Sequence, residues 1–448
     1  MAKSSIQFAC QECGSSFSKW AGRCSNCGAW NSLVEEVAVS RGSIIESSKG
    51  KKLTATAIGK VAKTQKATRL TTGVNDVDVV LGGGFVSGSV NLIAGQPGIG
   101  KSTLLMQLSA QLSRSHQVLY VSGEESLEQV SLRASRITPK DQNVMLASST
   151  SSDDIAETIL SSEYQVVIVD SIQTVSCASV SSAPGSISQI TNSTYLLTQA
   201  AKQANVTLIL VGHVTKEGNI AGPKLMEHLV DVVLNLEGDR YGGFKVLRAV
   251  KNRYGSTSEV GIFDMTEGGL TPVDNPSAVL LAERQVADGS IVLAAMEGTR
   301  PILVEVQALV NRTSFGYPKR AASGFDLNRL NLLTAVLTRR TKLDLSEFDV
   351  YINIVGGIKI SEPAADLAIC MAIASAAKGM QLNEDAVVFG EVGLSGEVRH
   401  VSNIEKRIKE ANYLGFKNCI GPKSDIKNTK LQQVTSIKMA LNTYLKDK

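Results

Sequence analysis

The chain has 448 residues, about three times the ~150-residue length typical of one domain, so we expect two or three domains. Its composition, with 43% hydrophobic and 20% charged residues, excludes a disordered or collagen-like protein, and the net charge of +4 permits a polyanionic partner without requiring one. The longest apolar run, 367–377, is too short to span a bilayer and the first residues include no apolar signal segment, so we expect a cytoplasmic protein with no membrane partner.

Four of the seven cysteines fall within the first 27 residues, as two Cys-x-x-Cys pairs: Cys10 with Cys13 and Cys24 with Cys27. Disulfides are not expected in a reducing compartment, and two such pairs can supply the four thiolates of a tetrahedral Zn²⁺ site. A segment this short cannot build its own core, so the metal would supply the folding energy. We predict a zinc knuckle over residues 1–40; a redox pair, or cysteines that only pack, are the alternatives.

The tryptophans and the segment after the knuckle complete the N-terminal region. The only two tryptophans, Trp20 and Trp30, lie in or beside the knuckle. We expect them to pack on the zinc loops, and a stacking surface for a partner is the alternative. Residues 41–69 are rich in Ser, Thr, Lys and Ala, with eight Lys or Arg residues against one acid, Glu46. This composition predicts a solvated basic linker that could also touch nucleic-acid phosphates.

A phosphate-binding loop is predicted directly after the apolar strand 90–94. It matches GxxxxGK[ST] in full and precedes a helical segment, 104–114. Glycines let backbone N–H groups surround phosphate oxygens, and the helix N-terminus adds partial positive charge. Lys101 can reach the β- and γ-phosphates of ATP, and Ser102 can hold Mg²⁺. The predicted nucleotide-binding residues are Gly95, Gln96, Pro97, Gly98, Ile99, Gly100, Lys101, Ser102 and Thr103.

Polar residues follow three further predicted strands, 118–121, 166–170 and 207–211. Asp170 ends one of them and would orient the water shell of Mg²⁺. Glu124 and Glu125 follow another; we prefer Glu124 as the group that polarises the attacking water, with Glu125 as the second choice. The other glutamate would then be a charge at a helix N-terminus. His213 is a candidate sensor of the γ-phosphate, and an ordinary polar residue is the alternative.

Two polar stretches, 175–189 and 215–224, are expected to leave the sheet on its nucleotide side. Neither is expected to be part of the core. Both are therefore candidate loops for gripping a ligand that ATP turnover moves.

The spacing of the phosphate loop, Glu124, Asp170 and His213 resembles the RecA-like ATPase core of recombinases and replicative ring helicases. Within that group, the stretch Lys251-Asn252-Arg253-Tyr254-Gly255 is similar to the KNRFG signature of the bacterial RadA (Sms) family of DNA-repair proteins, with Tyr in place of Phe. The four-cysteine knuckle and a C-terminal domain similar to that of Lon protease extend the resemblance over essentially the whole chain.

The resemblance implies a ring-shaped, usually hexameric, ATP-driven motor on single-stranded and branched DNA. Such a motor extends heteroduplex by branch migration in homologous recombination, with RecA as a partner. The resemblance also places Lys251 and Arg253 near the neighbouring subunit's nucleotide, where they would couple ATP to DNA. Residues two apart on a strand point to one face, so both can meet one phosphate. Two solvated charges on an edge strand are the alternative.

A second α/β domain is predicted over residues 273–448, with strands 291–295 and 301–308 and helices 326–339 and 364–377. Its segment 356–366 resembles the nucleophile segment of Lon-type peptidases. However, Ala365 falls where the serine should be, Glu405 falls where the lysine base should be, and Ser361 is out of register. We therefore expect a scaffold and not a peptidase.

Seven basic residues of this domain fall in a 31-residue window: Arg312, Lys319, Arg320, Arg329, Arg339, Arg340 and Lys342. DNA binding needs several such charges on one surface, and we favour that interpretation over a solvated helix face.

The predicted organisation is a knuckle at 1–40, a linker at 41–69, a RecA-like ATPase domain at 70–272 and a Lon-like domain at 273–448. Three classes of function compete. The first is a DNA-dependent ATPase that remodels recombination intermediates. The second is an ATP-dependent protease, which Ala365 and Glu405 oppose. The third is a signalling ring of the circadian-clock kinase type, which is not expected to carry the knuckle or the signature at 251–255.

Overall fold

The computed structural model describes residues 5–10, 15–30, 32–38, 68–138, 143–213, 225–238, 243–314, 316–426 and 430–445. The described residues form two compact units. One unit lies within Met1–Glu237, Val246–Thr257 and Met265–Pro272, and the other within Gly238–Lys245, Ser258–Asp264 and Val273–Lys448. Of the linker predicted at 41–69, only the last two residues belong to the described part.

The N-terminal ribbon is a three-stranded antiparallel sheet of order β2-β1-β3, with β1 at Ser5–Cys10, β2 at Ser16–Phe17 and β3 at Leu33–Ala38. Few of the ribbon residues whose burial is described are buried. Cys10, Cys24 and Leu33 form a cluster, and Phe8 and Phe17 pack against it. So small an apolar cluster cannot stabilise a ribbon by itself, which agrees with a structural role for a metal.

A nine-stranded sheet carries the predicted phosphate loop. Its strands are β6 (Val90–Gly95), β7 (Val118–Ser122), β8 (Val144–Ser148), β9 (Val166–Asp170), β10 (Thr207–His213), β11 (Val232–Gly238), β12 (Lys245–Asn252), β13 (Val260–Thr266) and β14 (Gly269–Pro272). The order is β14-β13-β12-β11-β6-β10-β9-β7-β8. The six strands from β11 to β8 pair in parallel. A separate antiparallel pair joins β4 (Arg69–Leu70) and β5 (Phe85–Val86).

The helices of this region are α1 (Asn75–Leu81), α2 (Lys101–Leu112), α3 (Leu127–Ile137), α4 (Ser152–Leu160), α5 (Ile187–Ala204) and α6 (Leu225–Leu229). Strands β6, β7 and β9 are buried along their whole length, as expected for parallel strands covered by helices on both faces. The first helix after the phosphate loop begins at Lys101 and not at residue 104 as predicted, because Gly100 serves as its N-cap.

The second unit contains a mixed sheet of order β17-β18-β16-β15-β19-β22-β23. These strands are β15 (Ser290–Glu297), β16 (Arg300–Arg312), β17 (Arg320–Ser323), β18 (Phe348–Ile354), β19 (Ala386–Val388), β22 (Asn418–Pro422) and β23 (Leu431–Val434). A short antiparallel pair joins β20 (Glu391–Val392) and β21 (Val398–Arg399). The helices are α7 (Pro276–Leu281), α8 (Leu327–Thr341), α9 (Asp366–Lys378), α10 (Ile404–Tyr413) and α11 (Ile437–Tyr444), with a 3₁₀ turn at Pro363–Ala365.

The long apolar run of the sequence forms α9, the central helix of the second unit. Every residue from Asp366 to Ser375 is buried, so the helix is apolar on all sides because protein surrounds it. Its one buried carboxylate, Asp366, is paired with Arg329, whose Nε donates to Asp366 Oδ1 at 3.0 Å. Among the described residues, no helix combines the length and the apolarity that crossing a bilayer requires.

A buried ion pair also stabilises this unit. The side chain of Arg407 on α10 is fully buried and donates to both carboxylate oxygens of Glu362, at 2.9 and 2.6 Å. It also donates to the carbonyl oxygens of Ala294 and Ser402, and its guanidinium lies 5.8 Å from the centroid of the Phe389 ring. Each of the three guanidinium nitrogens of Arg407 therefore has a hydrogen-bond partner inside the unit.

We expect Arg407→Ala to lower the free energy of unfolding by about 3 kcal/mol or more, because it leaves Glu362 without its partner and opens a cavity. Denaturant titration followed by circular dichroism would measure the loss. Lys409→Ala is the matched control, since Lys409 is exposed on the same helix and its loss should cost less than ~0.5 kcal/mol. Equal stabilities for the two variants would contradict a structural role for the pair.

Candidate nucleotide and zinc sites

The phosphate loop joins the end of β6 to the start of α2. Gly98 and Gly100 have φ values of +79° and +112°, which other residues rarely adopt. A Cβ at Gly100 would lie 2.5 Å from Met265 Cε, and one at Gly95 would lie 2.6 Å from the carbonyl oxygen of Leu236. The glycines are therefore required by the local backbone and packing, and the nine predicted nucleotide-binding residues form one continuous strand, loop and helix start.

The ammonium of Lys101 is turned into its own loop. Its Nζ donates to the carbonyl oxygens of Gly95 and Gln96 at 2.9 and 3.0 Å, and lies 3.1 Å from His213 Nδ1. Burial lowers the pKa of Lys101 to about 8, although the nearby carboxylates of the site act in the opposite direction. The structure thus brings Lys101 and His213 together. The loop predicted at 215–224 lies outside the described residues.

The two adjacent glutamates have different partners. Glu124 Oε1 accepts a hydrogen bond from Ser171 Oγ at 2.5 Å and lies 3.4 Å from His213 Nε2. Glu125 Oε2 instead lies 2.5 Å from Arg133 on α3. Only Glu124 faces the group that contains Lys101, so the geometry favours it over Glu125 for work on a nucleotide.

Asp170 ends β9 beside this group and is held by a residue that sequence reasoning missed. The hydroxyl of Tyr120 donates to Asp170 Oδ2 at 2.5 Å. Tyr120 is fully buried, and burial together with the charge of Asp170 raises its pKa well above the usual value, so the phenol remains a donor. The hydroxyl of Ser102 and the carboxylate of Asp170 are oxygen donors of the kind that Mg²⁺ prefers, so the residues present fit that ion.

Lys101, His213, Glu124 and Ser171 form one connected series of side chains at the carboxyl edge of the parallel sheet. Sequence reasoning did not identify Ser171, although it directly follows Asp170. Position in the chain was the only signal available for Tyr120 and Ser171. Tyr120 lies two residues before Ser122, on the same face of β7, and residue 171 starts the connection after β9.

The polar stretch 175–189 is partly buried, contrary to the prediction. Val175 and Gln189 at its two ends are buried, so the prediction that none of it belongs to the core is wrong at both ends. The Gln189 amide donates to the carbonyl oxygens of Val180 and Ser182 at 2.8 and 2.9 Å. A buried amide therefore fixes the path of this segment.

The charges of the signature at 251–255 point back into their own subunit. Lys251 Nζ donates to the carbonyl oxygen of Val230 at 2.8 Å, and Arg253 Nη1 donates to Asp231 Oδ1 at 3.1 Å. The strand β12 ends before Arg253, so the two residues do not share the face of one strand as predicted. Arg253 remains 56% exposed at its side chain, so it is accessible from outside.

Asp231 is the anchor of this cluster and is 4% exposed at its side chain. Burial by itself would raise the pKa of Asp231, but hydrogen bonds from Lys202, the Val90 amide and Arg253 outweigh it and hold the pKa below the usual value. Val232 pairs with Asn91, whereas Leu236 pairs with Gly95. Asp231 therefore lies at the edge where β6 begins, about 15 Å from the phosphate loop at ~3.3 Å per residue.

Three of the predicted zinc ligands come together in the ribbon. The sulfur atoms of Cys10, Cys24 and Cys27 all lie within 4.8 Å of one another, and those of Cys10 and Cys27 are 3.6 Å apart. A tetrahedral Zn²⁺ with ~2.3 Å bonds to sulfur requires sulfur separations of about 3.8 Å, so the arrangement fits zinc. The fourth predicted ligand, Cys13, lies outside the described residues.

The tryptophans of the ribbon are largely exposed. Trp20 is 58% exposed and Trp30 is 72% exposed, so neither ring is buried against the zinc loops as the interpretation that we favoured would require. The guanidinium of Arg23 lies 5.6 Å from the centroid of the Trp30 ring.

The resemblance to Lon-type peptidases aligns Ala365 with the nucleophile and Glu405 with the lysine base, and the structure shows where these two residues lie. Ala365 is fully buried in the 3₁₀ turn before α9, and Glu405 is exposed in the first turn of α10. At least four of the seven basic residues proposed for DNA have partners within the unit. Arg312 pairs with Glu347, and Arg340 Nε donates to the carbonyl oxygen of Leu394. Arg329 pairs with Asp366, and Arg320 donates to backbone carbonyl oxygens, including that of Leu345. The set available for phosphates is therefore smaller than predicted.

Comparisons with known proteins agree with the three modules. The AAA domain family matches residues 62–219, the rubredoxin metal-binding domain family of zinc ribbons matches 8–35, and the family of the ChlI subunit of Mg-chelatase matches 332–425. With the mixed α/β architecture, these matches confirm the predicted fold class: a P-loop ATPase core, a zinc ribbon and a Lon-like domain.

Relatives similar to the whole chain share one name, DNA repair protein RadA. The protein of Bacillus subtilis is 48% identical and covers 99% of this chain and 100% of its own length. That of Pseudomonas aeruginosa is 46% identical over 94% of both chains. That of Aquifex aeolicus is 43% identical, over 98% of this chain and 99% of its own.

We expect nucleotide affinity to fall as the pH rises above 8. Phosphate oxygens favour the charged form of Lys101, whereas burial lowers its pKa to about 8 in the free chain. Above that pH, binding must take up a proton, so the Kd should increase roughly tenfold between pH 7 and pH 9. A fluorescent ATP analogue would report the Kd. Lys101→Arg is the control. Its guanidinium stays charged over this pH range, so the Kd of the variant should hardly change between pH 7 and pH 9. A Kd of the unmodified chain that is the same at pH 7 and pH 9 would contradict the assignment of Lys101 as a phosphate-binding group.

Proposed function

Because the chain belongs to the RadA family of DNA repair proteins, we propose that it is a DNA-dependent ATPase that works as a ring motor in recombinational repair. The proposed substrates are single-stranded and branched DNA, the assembly is a homo-hexamer, and the activity is branch migration with RecA as a partner. The observation that carries the proposal is the connected series of Lys101, His213, Glu124 and Ser171 at the mouth of a complete phosphate loop. ATP hydrolysis measured with and without single-stranded DNA is the direct test.

Nucleotide binding would start with the phosphate loop. The backbone N–H groups of residues 95–103 and the N-terminus of α2 favour the phosphates, and Lys101 exchanges its own carbonyl partners for the β- and γ-phosphate oxygens. Ser102 and Asp170 would hold Mg²⁺, which supplies charge neutralisation of the phosphates when bound. Tyr120 keeps the carboxylate of Asp170 in place from the buried side.

Water activation is assigned to Glu124. Its carboxylate is fixed by Ser171 and faces the site, whereas that of Glu125 is paired with Arg133. A glutamate in this position can orient and polarise a water molecule for attack on the γ-phosphate. His213 lies between Lys101 and Glu124, so movement of Lys101 onto phosphate changes the contacts of His213. The segment after His213 would carry that change towards DNA.

The role of Lys251 and Arg253 is proposed to be in trans. Both lie at the edge of the sheet opposite their own phosphate loop, so they are too far away to contact the nucleotide of their own subunit. Arg253 is half exposed, and Asp231 would still be neutralised by Lys202 if Arg253 moved away. In a ring, such an arginine can stabilise the transition state at the neighbouring site.

The Lon-like unit is proposed to be a scaffold without peptidase activity. Ala365 offers no nucleophile, and Glu405 cannot act as the lysine base. Phosphate contacts of this unit would come from basic residues near the C-terminal end of α8, including Arg339 and Lys342.

Glu124→Gln should reduce ATP turnover by about two to four orders of magnitude while nucleotide binding is retained, because the variant keeps the shape of the side chain but not its charge. Glu125→Gln is the matched control and should change turnover only a few-fold, since it alters the pair with Arg133. Steady-state hydrolysis and nucleotide affinity would be measured for both. The assignment is wrong if Glu125→Gln is the more damaging change.

Arg253→Ala should leave nucleotide binding largely intact but reduce DNA-stimulated hydrolysis by roughly a hundredfold or more. Lys101→Ala should be inactive for a different reason, loss of phosphate binding. Mixed rings of the two variants join an intact phosphate loop to an intact Arg253 of a neighbour, so part of the activity should return. Native mass spectrometry would confirm mixing. Mixed rings as inactive as their parents would rule out the role in trans.

A further inference from the structure

The ribbon presents two aromatic rings to solvent, and nothing in its own structure explains them. Trp20 and Trp30 are the only tryptophans of the chain, and they are 58% and 72% exposed. An indole is large and amphipathic, and exposed indoles are common where a partner covers them. Other apolar side chains cover the zinc cluster among the described residues: Leu33 is buried in it, and the partly buried Phe8 and Phe17 pack against it.

The two rings border one rigid loop. Arg23 and Trp30 form an antiparallel bridge, and Arg23 Nε donates to the carbonyl oxygen of Gly28 at 2.9 Å. This hydrogen bond holds the guanidinium 5.6 Å from the Trp30 ring centroid, so a fixed cation lies beside a largely open ring. Trp20 folds over the same loop, since a Cβ built at Gly22 would lie 3.9 Å from Trp20 Cη2.

The charge of this loop is positive. Residues 15–30 contain Lys19 and Arg23 and no Asp or Glu, and the acids of the ribbon lie outside that segment. The side chains of Lys19 and Arg23 are exposed, as are those of Ser25 and Asn26. A polyanion is therefore the complementary partner.

We propose that the ribbon binds an unpaired nucleic-acid strand, with bases stacked on Trp20 and Trp30 and phosphates beside Lys19 and Arg23. Stacking platforms flanked by cations are the general means of binding single strands without reading sequence. A protein partner would call for a continuous apolar patch. Among the ribbon residues whose exposure is described, Trp20 and Trp30 are the only large exposed hydrophobic side chains, and polar residues separate them.

The inference deepens the proposed function, since it adds a second contact with the same DNA, but it concerns residues outside the ATPase core. The ribbon would hold a single strand while the core turns over ATP. Its failure can be separated from failure of the core, because the two depend on different side chains and give different signals.

Intrinsic fluorescence of the full-length chain tests the inference, because both tryptophans lie in the ribbon. Titration with a thymidine oligomer should quench the indole emission, whereas an abasic oligomer of the same length and charge should not. Trp20→Ala and Trp30→Ala should each weaken the binding that the remaining tryptophan reports, by roughly five- to a hundredfold. Trp20→Phe and Trp30→Phe are the matched controls, since they retain an aromatic face and should weaken it much less. Zinc content by elemental analysis confirms that each variant keeps its ribbon.

The outcomes separate the possibilities. Unchanged emission, while the thymidine oligomer still stimulates ATP hydrolysis, overturns the inference and leaves the proposed function standing. Unchanged emission together with no stimulation would count against both. Equal quenching by the abasic oligomer, or an emission change produced only by an added protein partner, also overturns base stacking on the ribbon.

Discussion

The nucleotide site depends on one buried ammonium group. Lys101 is 4% exposed, and a cation so far from water needs acceptors close by. The carbonyl oxygens of Gly95 and Gln96 supply them. These partners are neutral carbonyl oxygens, so negatively charged phosphate oxygens would compete with them for the ammonium group. Movement of the Lys101 amine would therefore change the contacts of His213, and through His213 those of Glu124.

Much of this core could be predicted from sequence, for a simple physical reason. Parallel strands buried on both faces are continuous apolar runs, and the phosphate loop has a fixed spacing of glycines before Lys101. Sequence reasoning supported only a preference for Glu124 over Glu125, because adjacent residues have the same sequence context. The choice depends on Arg133, which α3 brings beside Glu125. Ser171 was missed for a similar reason, since a serine after a strand gives no signal until its partner Glu124 is located.

The two ends of β6 have different roles in the proposed motor. Its carboxyl end enters the phosphate loop, and its amino end is tied through the Val90 amide to Asp231, which also holds Arg253. One buried strand thus connects the site for a subunit's own nucleotide with the charge proposed to serve a neighbour. A stiff strand would transmit displacement between these edges without requiring a large change of fold. Arg253 is paired with the mostly buried carboxylate of Asp231, so its release would cost free energy. Contact with a γ-phosphate on the neighbouring subunit would have to offset that cost.

We propose that the second unit keeps a peptidase-like framework without the dyad of Lon-type peptidases. A catalytic serine and lysine need a lysine whose charge is partly removed by burial. Here the fully buried guanidinium of Arg407 forms a hydrogen-bonded ion pair with the partly buried carboxylate of Glu362, near the segment where the dyad would lie. Ala365, which the resemblance to Lon-type peptidases aligns with the nucleophile, is packed in the core just before α9. A guanidinium does not give up its proton in a protein, so this pair supplies rigidity and no base. The arrangement therefore favours a structural role for this unit beside an ATPase, and it leaves its exposed cations as the groups able to meet DNA.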